Sequence, residues 1–449
     1  MKSLFFHLMA YGGLPLDFEQ NYESVWVDID SRLFNPRIAR ENFHTYLDEL
    51  RFADELGYDG ICVNEHHFNG YALMCSPQMM ATVLARETRH AAITVMGCSI
   101  ALYDPPMRVA EEMATLDVMS GGRLIAGFPM GTPMDTAYAY GQNPSSVRQK
   151  YREAHEIIIG CWENPDKWAF NGEYYKFAHI NPFIKPEQKP LPPIWIPGGG
   201  SVETWRFAAE NNYAYLYTNF YGVAHAEAQL KGWWKICQEL GSEINPFRCG
   251  VIQFVGVAES REEAIEIYRP AAEQFYNANM KFSPRWTSPP GYVSEETKRL
   301  AIKSTTAEAA MRAAKQGGLT DKEKQEIKDA RKALFDLSVR PRVTMEEIVE
   351  KGYIVVGSPD EVAEQIRNAA IQLNLGNYMA LPVYGNMDHQ TAMYNTEMYG
   401  KYVKPQLDEL FANEFEHKWW PSTVGIKPPP DPKARPLHPD QARSVSPAM

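Results

Sequence analysis

Short apolar or β-branched runs alternate with longer stretches of helical periodicity along this chain, and that alternation restricts the fold more than any other feature. A strand, a helix and a second strand in succession make a βαβ unit, in which parallel strands are covered by helices. The runs that read as strands are 4–9, 60–64, 92–98, 124–128, 194–197, 214–217, 248–256 and 378–382. Eight parallel strands close a barrel, so the expected fold is α/β, a (β/α)8 TIM barrel.

The intervening helices carry their own signals. Phe43, Tyr46, Leu47, Leu50 and Ala53 recur at helical spacing just before the stop Gly57-Tyr58-Asp59-Gly60. Pro106 opens a second helix, with Val109, Met113 and Leu116 on one face and Ser120-Gly121-Gly122 at its end. A third runs from Ser201 to about Asn211-Asn212. A fourth opens at Ser358-Pro359 and continues through Val362, Ile366 and Ala369 to Asn374.

Residues 1–415 are expected to form one barrel domain carrying two additions. The first βα loop, about 10–42, is long and holds Tyr22, Trp26 and Phe34; loops of that length are uncommon unless they cover a site. An insertion at about 276–345, before the last strand, starts aromatic and proline-rich and turns lysine- and alanine-rich, which suits a helix. Residues 416–449 form a proline-rich tail, expected to be extended or disordered and a candidate strap around a neighbouring subunit.

Composition narrows the class of function. With 45% hydrophobic and 22% charged residues, the 449-residue chain suits an ordinary enzyme with a large core. A formal charge of −11 argues against nucleic acid or an anionic membrane as the main partner. No apolar run approaches the roughly 18 residues of a membrane span, and the start, Leu4-Phe5-Phe6-His7-Leu8-Met9, reads as a strand rather than a signal peptide. Six cysteines without a CxxC pair point to reduced thiols, most of them in the core, in a cytoplasmic protein.

Two clusters carry chemistry. Glu65-His66-His67 follows the apolar run Gly60-Ile61-Cys62-Val63-Asn64, at the carboxyl end of a strand, where catalytic side chains project from such barrels. Neighbouring residues of a strand face opposite ways, so His66 turns from Glu65 and His67, which makes a shared metal ion awkward; no HExxH pair appears elsewhere. His66 is the candidate acid–base residue at neutral pH, and Glu65 and His67 line the site or pair with backbone or an arginine. Gly198, Gly199 and Gly200 follow a strand and precede a helix with hydroxyls at Ser201 and Thr204. The turn suits an anion such as phosphate. Ser201 is equally placed to be a plain N-cap, though capping needs no glycine triplet. Neither a Walker loop nor a GxGxxG dinucleotide turn is present.

Asn64-Glu65-His66-His67-Phe68 resembles the signature of the bacterial luciferase-like flavin-dependent oxidoreductases. So do Gly97-Cys98-Ser99-Ile100-Ala101-Leu102-Tyr103-Asp104-Pro105-Pro106-Met107-Arg108, Gly127-Phe128-Pro129-Met130-Gly131-Thr132, the triple-glycine turn and Gly357-Ser358-Pro359. The likeness spans about 1–275 and 350–410. It implies FMN or a related flavin at the carboxyl ends of the strands, its phosphate on Ser201 and Thr204. The flavin ring would lie beside Gly97, Cys98 and Ser99, near a non-prolyl cis peptide at Cys98-Ser99. Where the luciferase has a reactive cysteine and a phosphate-binding arginine, this chain has Pro129 and Met130, so the arginine's role falls to Arg148 or is dropped. A buried strand cysteine is the other reading of Cys98.

By that resemblance the chain is the oxygenase component of a two-component FMNH2-dependent monooxygenase. A separate NAD(P)H:flavin reductase supplies the reduced FMN. One atom of O2 enters a small apolar or aromatic substrate by way of a flavin C4a-peroxide. Tyr11, Tyr22, Trp26, Phe282, Trp286 and Tyr292 are the candidate lid and substrate residues. A deazaflavin (F420)-dependent hydride transfer on the same fold is the alternative, and a homodimer or larger homo-oligomer is expected.

Overall fold

In the computed structural model eight strands pair in parallel into a closed ring. The structure describes residues 1–424 apart from 16, 23, 28, 281–283, 288, 293, 295, 296 and 298–341. The ring runs β1 (Lys2–His7), β2 (Gly60–Val63), β3 (Ala92–Met96), β4 (Leu124–Gly127), β7 (Ile194–Gly198), β8 (Ala214–Thr218), β9 (Cys249–Val257) and β11 (Asn377–Val383), which pairs back onto β1. These are the eight runs expected from the sequence, with no end moved by more than two residues.

Side-chain parity builds the two layers of the core. Leu4, Phe6, Cys62, Met96, Ile125, Trp195, Leu216, Ile252, Phe254, Met379 and Leu381 pack together inside the ring. Their strand neighbours Phe5, Ile61, Val63, Val95, Ala126, Ile196, Val251 and Ala380 pack outward under the helices. Space inside is short: a Cβ on Gly60 would come within 2.8 Å of the Leu4 side chain. Each large buried aliphatic contributes about 1.5–3 kcal/mol, so this double layer is the main source of stability.

The main covering helices are α1 (Pro36–Glu55), α2 (Pro77–Glu87), α3 (Met107–Ser120), α4 (Val147–Glu163), α5 (Val202–Glu210), α6 (Gly222–Glu239), α7 (Arg261–Gln274), α8 (Pro359–Leu373) and α9 (His389–Met398). Their ends follow the sequence signals. Gly121 caps α3 with φ +70, and Ser358 with Glu361 forms a capping box at the start of α8. The first loop is shorter than expected, because the Asn35 side chain accepts from the Arg37 N–H and so starts α1 at Pro36.

Two features lie outside the expected pattern. Ile354–Gly357 forms β10, which pairs with Phe254–Val257 at the upper end of β9. An antiparallel hairpin, β5 (Trp168–Asn171) and β6 (Lys176–Ile180), stands between α4 and β7. The lysine- and alanine-rich part of the insertion lies outside the described residues. So does the tail beyond 424. All six cysteines are free; Cys75 alone is exposed. No helix among the described residues is long and apolar enough to cross a membrane.

The described start of the tail packs under its own barrel. Trp195 Nε1, at the start of β7, donates to the Trp419 carbonyl (2.9 Å), and Trp419 Nε1 donates to Asn212 O (2.8 Å). The Arg248 guanidinium stands 5.5 Å from the centre of the Trp419 ring, and Lys2 Nζ 5.3 Å from that of Trp420. Trp419→Ala is therefore expected to lower unfolding stability by about 3–5 kcal/mol, read by urea denaturation.

Candidate active site

Above the ring, the carboxyl ends of the strands surround a cavity of about 630 Å³. Pockets of about 300–1,000 Å³ hold cofactors and drug-sized ligands. Phe6, Leu8, Met96 and Ile252 make its floor apolar.

β2 supplies the first polar group. Past Val63 the chain leaves the sheet, and the Glu65 side chain is buried between the ends of β2 and β3. Its carboxylate accepts from the Ser99 backbone N–H (2.6 Å), the Tyr103 hydroxyl (3.0 Å) and His67 Nε2 (2.9 Å). Three donors offset the cost of burying the charge. His67 lies behind Glu65, away from the cavity, while His66 faces into it. The turn that follows them puts Phe68 at φ +57, a left-handed conformation unusual for a bulky residue.

The loop after β4 brings the partner of His66. Gly131 turns at φ +83, where a Cβ would meet Thr136 at 2.6 Å and the Ser99 hydroxyl at 2.7 Å, so glycine is required. The Asp135 carboxylate then accepts from His66 Nδ1 (2.8 Å), the His67 backbone N–H (2.9 Å) and the Thr132 hydroxyl (2.8 Å). Burial pushes the Asp135 carboxyl up, but the imidazole and these hydrogen bonds outweigh it and hold the group below the usual carboxylate range. Trp26 and Tyr71 stand edge-on to the His66 ring at 5.0 and 5.2 Å. His66 is thus fixed with Nδ1 toward Asp135, which leaves Nε2 as the ring nitrogen available to a ligand.

The second polar end is the β7–α5 turn. Ser201 Oγ accepts from the Thr204 N–H (3.3 Å) and bonds the Thr204 hydroxyl (2.8 Å), so Ser201 is the N-cap of α5 while still lining the cavity. Gly200 has φ +100, and a Cβ on Gly199 would meet nothing within 4 Å. The Arg148 guanidinium borders the same end and lies 5.7 Å from the centre of the Tyr292 ring. Glu203 is close by, its carboxyl pushed up by burial but held low overall by Ser294, Thr297 and the Arg148 charge. Glycines without side chains, two hydroxyls, a helix N-terminus and a guanidinium fit a phosphate group.

A family model described as luciferase-like monooxygenase matches residues 27–373. The chain belongs to the luciferase-like monooxygenase family. By that membership it is an oxidoreductase. It is 24% identical over 253 residues to the oxygenase component of flavin-dependent trigonelline monooxygenase of Acinetobacter baylyi, covering 55% of this chain and 68% of that one. Over 158 residues it is 27% identical to an F420-dependent glucose-6-phosphate dehydrogenase of Amycolatopsis mediterranei, covering 33% and 46%. The oxygenating constituent of 3,6-diketocamphane monooxygenase of Pseudomonas putida, solved with FMN, superposes with a TM-score of 0.60 at 18% identity, covering 90% of this chain and 98% of that one.

In this luciferase-like barrel Glu65, His66, Gly97, Ser99, Met130, Arg148, Gly198, Gly199, Gly200, Ser201 and Thr204 all border the one cavity. Cys98 does not. Strand alternation points it outward between Gly97 and Ser99, where Gln78 Nε2 donates to its sulfur (3.2 Å) and burial pushes the thiol well up. The cis bonds among the described residues are Asp104–Pro105 and Lys189–Pro190, so the expected one at Cys98–Ser99 is absent.

Of the expected lid residues, Trp26 and Tyr292 line the cavity. Trp26 Nε1 donates to Asn279 O (2.6 Å), and the Tyr292 hydroxyl to Gly131 O (2.6 Å). Tyr11 is instead a staple of the first loop, its hydroxyl between Leu33 O and Asn35 N, and Tyr22 stacks on Phe18. Trp286 stands against Tyr138 off the cavity, and Phe282 lies outside the described residues. Three cavity features were not anticipated: Asp135, Asn64 and the Tyr217–His225 pair (2.6 Å). Tyr217 closes a strand run, so the rule that strand ends carry the site could have found it; Asp135 sits in Thr132-x-x-Asp135, which reads as an ordinary helix start.

The ionisation of Asp135 has a signed consequence. Its folded-state pKa lies below the unfolded value, so its stabilisation is complete above the ordinary aspartate range and is lost as pH falls through the folded value. The stability difference between the protein and Asp135→Asn is expected to be constant above about pH 5 and to shrink below about pH 4, read by urea denaturation at stepped pH.

Proposed function

We propose that this protein is the oxygenase component of a two-component FMNH2-dependent monooxygenase acting on a small, largely apolar molecule. The observation that carries the reading is that the His66–Asp135 pair and the phosphate-type cradle face one cavity with an apolar floor. Ser201, Thr204 and Arg148 would hold the cofactor phosphate, and the bare backbone at Gly97 and Gly199 would let a ring and its chain lie close. Reduced flavin, when bound, supplies the activation of O2. The overall change is substrate + O2 + FMNH2 → oxygenated substrate + FMN + H2O.

The protein's share is binding, orientation and proton handling. Asp135 holds the proton on His66 Nδ1, so the neutral imidazole presents Nε2 as an acceptor and the cation presents it as a donor. Trp26 and Tyr292, tied to Asn279 and Gly131, keep water from the mouth. A separate reductase and a homo-oligomeric state belong to the same proposal. The F420-dependent relative supports a second reading, hydride transfer with a deazaflavin and without oxygen.

Incubation with reduced FMN and 18O2 across ketones, terpenes and heteroaromatics tests the first reading: label in the product supports it. Exclusive binding of the deazaflavin would transfer the proposal to the second. His66→Ala is expected to lower turnover about 100- to 10,000-fold while leaving FMN affinity unchanged. Ser201→Ala with Thr204→Ala is expected to weaken FMN binding about 10- to 100-fold in a fluorescence titration.

A further inference from the structure

Asn64 stands one residue past β2 and borders the cavity. It is 3% exposed, and neither its Oδ1 nor its Nδ2 has a hydrogen-bond partner among the described residues. Gln78, Thr94 and Asn219 also keep an unpaired buried oxygen, but of the side chains in that condition Asn64 is the one that lines the cavity. A bare buried amide opposes folding, and leucine would fill nearly the same volume without that cost.

The surroundings say what would satisfy it. Beside Asn64 the floor is bare backbone: a Cβ on Gly97 would come within 2.8 Å of Glu65 N and 3.1 Å of Asn64 Cα. Phe6, Leu8, Met96 and Ile252 offer no polar side chain nearby on the floor. A carboxamide needs an acceptor and a donor together, which a hydrocarbon or a simple ketone lacks. The pyrimidine-dione edge of a flavin ring has both, a carbonyl oxygen next to an N–H, on a flat body that suits a floor without side chains.

We propose that Asn64 is a positioning residue for the flavin ring, donating from Nδ2 to a ring carbonyl and accepting the adjacent ring N–H at Oδ1. The proposal rests on the flavin reading above. A substrate carrying an amide could present the same chemistry, and the experiment separates the two sources.

Apo-protein, Asn64→Leu and Asn64→Ala are titrated with FMN by fluorescence and melted with and without it. Expected is FMN binding about 10- to 100-fold weaker in both variants, with apo Asn64→Leu melting no lower than the parent protein and a changed spectrum for its bound flavin. Unchanged FMN affinity in the variants overturns the inference, and a raised substrate KM beside it assigns the amide to the substrate. A lower apo melting point for Asn64→Leu makes Asn64 structural and also overturns it. Failure of the parent protein itself to bind FMN is the distinct result that removes the flavin reading and this inference together.

Discussion

A carboxylate buried at the rim of the barrel holds the candidate site together. Glu65 accepts from the backbone of the β3 exit, from Tyr103 and from His67, so one charge locks the ends of two adjacent strands and the histidine behind them. An apolar side chain would leave three buried donors unsatisfied, each costing about 1–3 kcal/mol. With Glu65 and His67 committed to each other, the intervening imidazole is the one left to face the cavity. The same lock holds Ser99 beside Gly131, where the β4 loop turns to deliver Asp135. The tandem histidines therefore divide the work, one building the wall and the other working in front of it.

The two polar ends of the cavity are built by different means. At the β7–α5 turn the local backbone does the work: glycine conformations, a capped helix and two hydroxyls three residues apart. At the His66 end nothing is local, since His66 and Asp135 are 69 residues apart and meet because β2 and β4 flank β3. Aromatic clamping by Trp26 adds a third segment to that end, beside Tyr71 from the loop that carries His66. This difference explains which residues a linear reading can find.

The barrel was legible because each of its strands is a short apolar run bounded by turn signals, and α3, α5 and α8 carry start or stop signals. Ile354–Gly357 escaped because it pairs with the upper end of β9 alone, outside the closed ring, so a reading built on eight strands had no place for it. The anion turn was legible because its chemistry is contiguous. Cys98 was misplaced for want of register: one position decides between cavity and helix, and only pairing fixes it. Asp135 was invisible because its partner is distant in sequence and its local pattern serves capping equally well. The aromatic lid residues were read by type, and type does not say which of Trp26, Tyr11 and Tyr22 turns inward.

Trp195, Trp419 and Trp420 pack together at the base, while the cavity lies among the carboxyl ends of the strands. The tail thus spends its aromatic residues on the underside of its own barrel, which leaves the opposite face to be shaped by the βα loops alone.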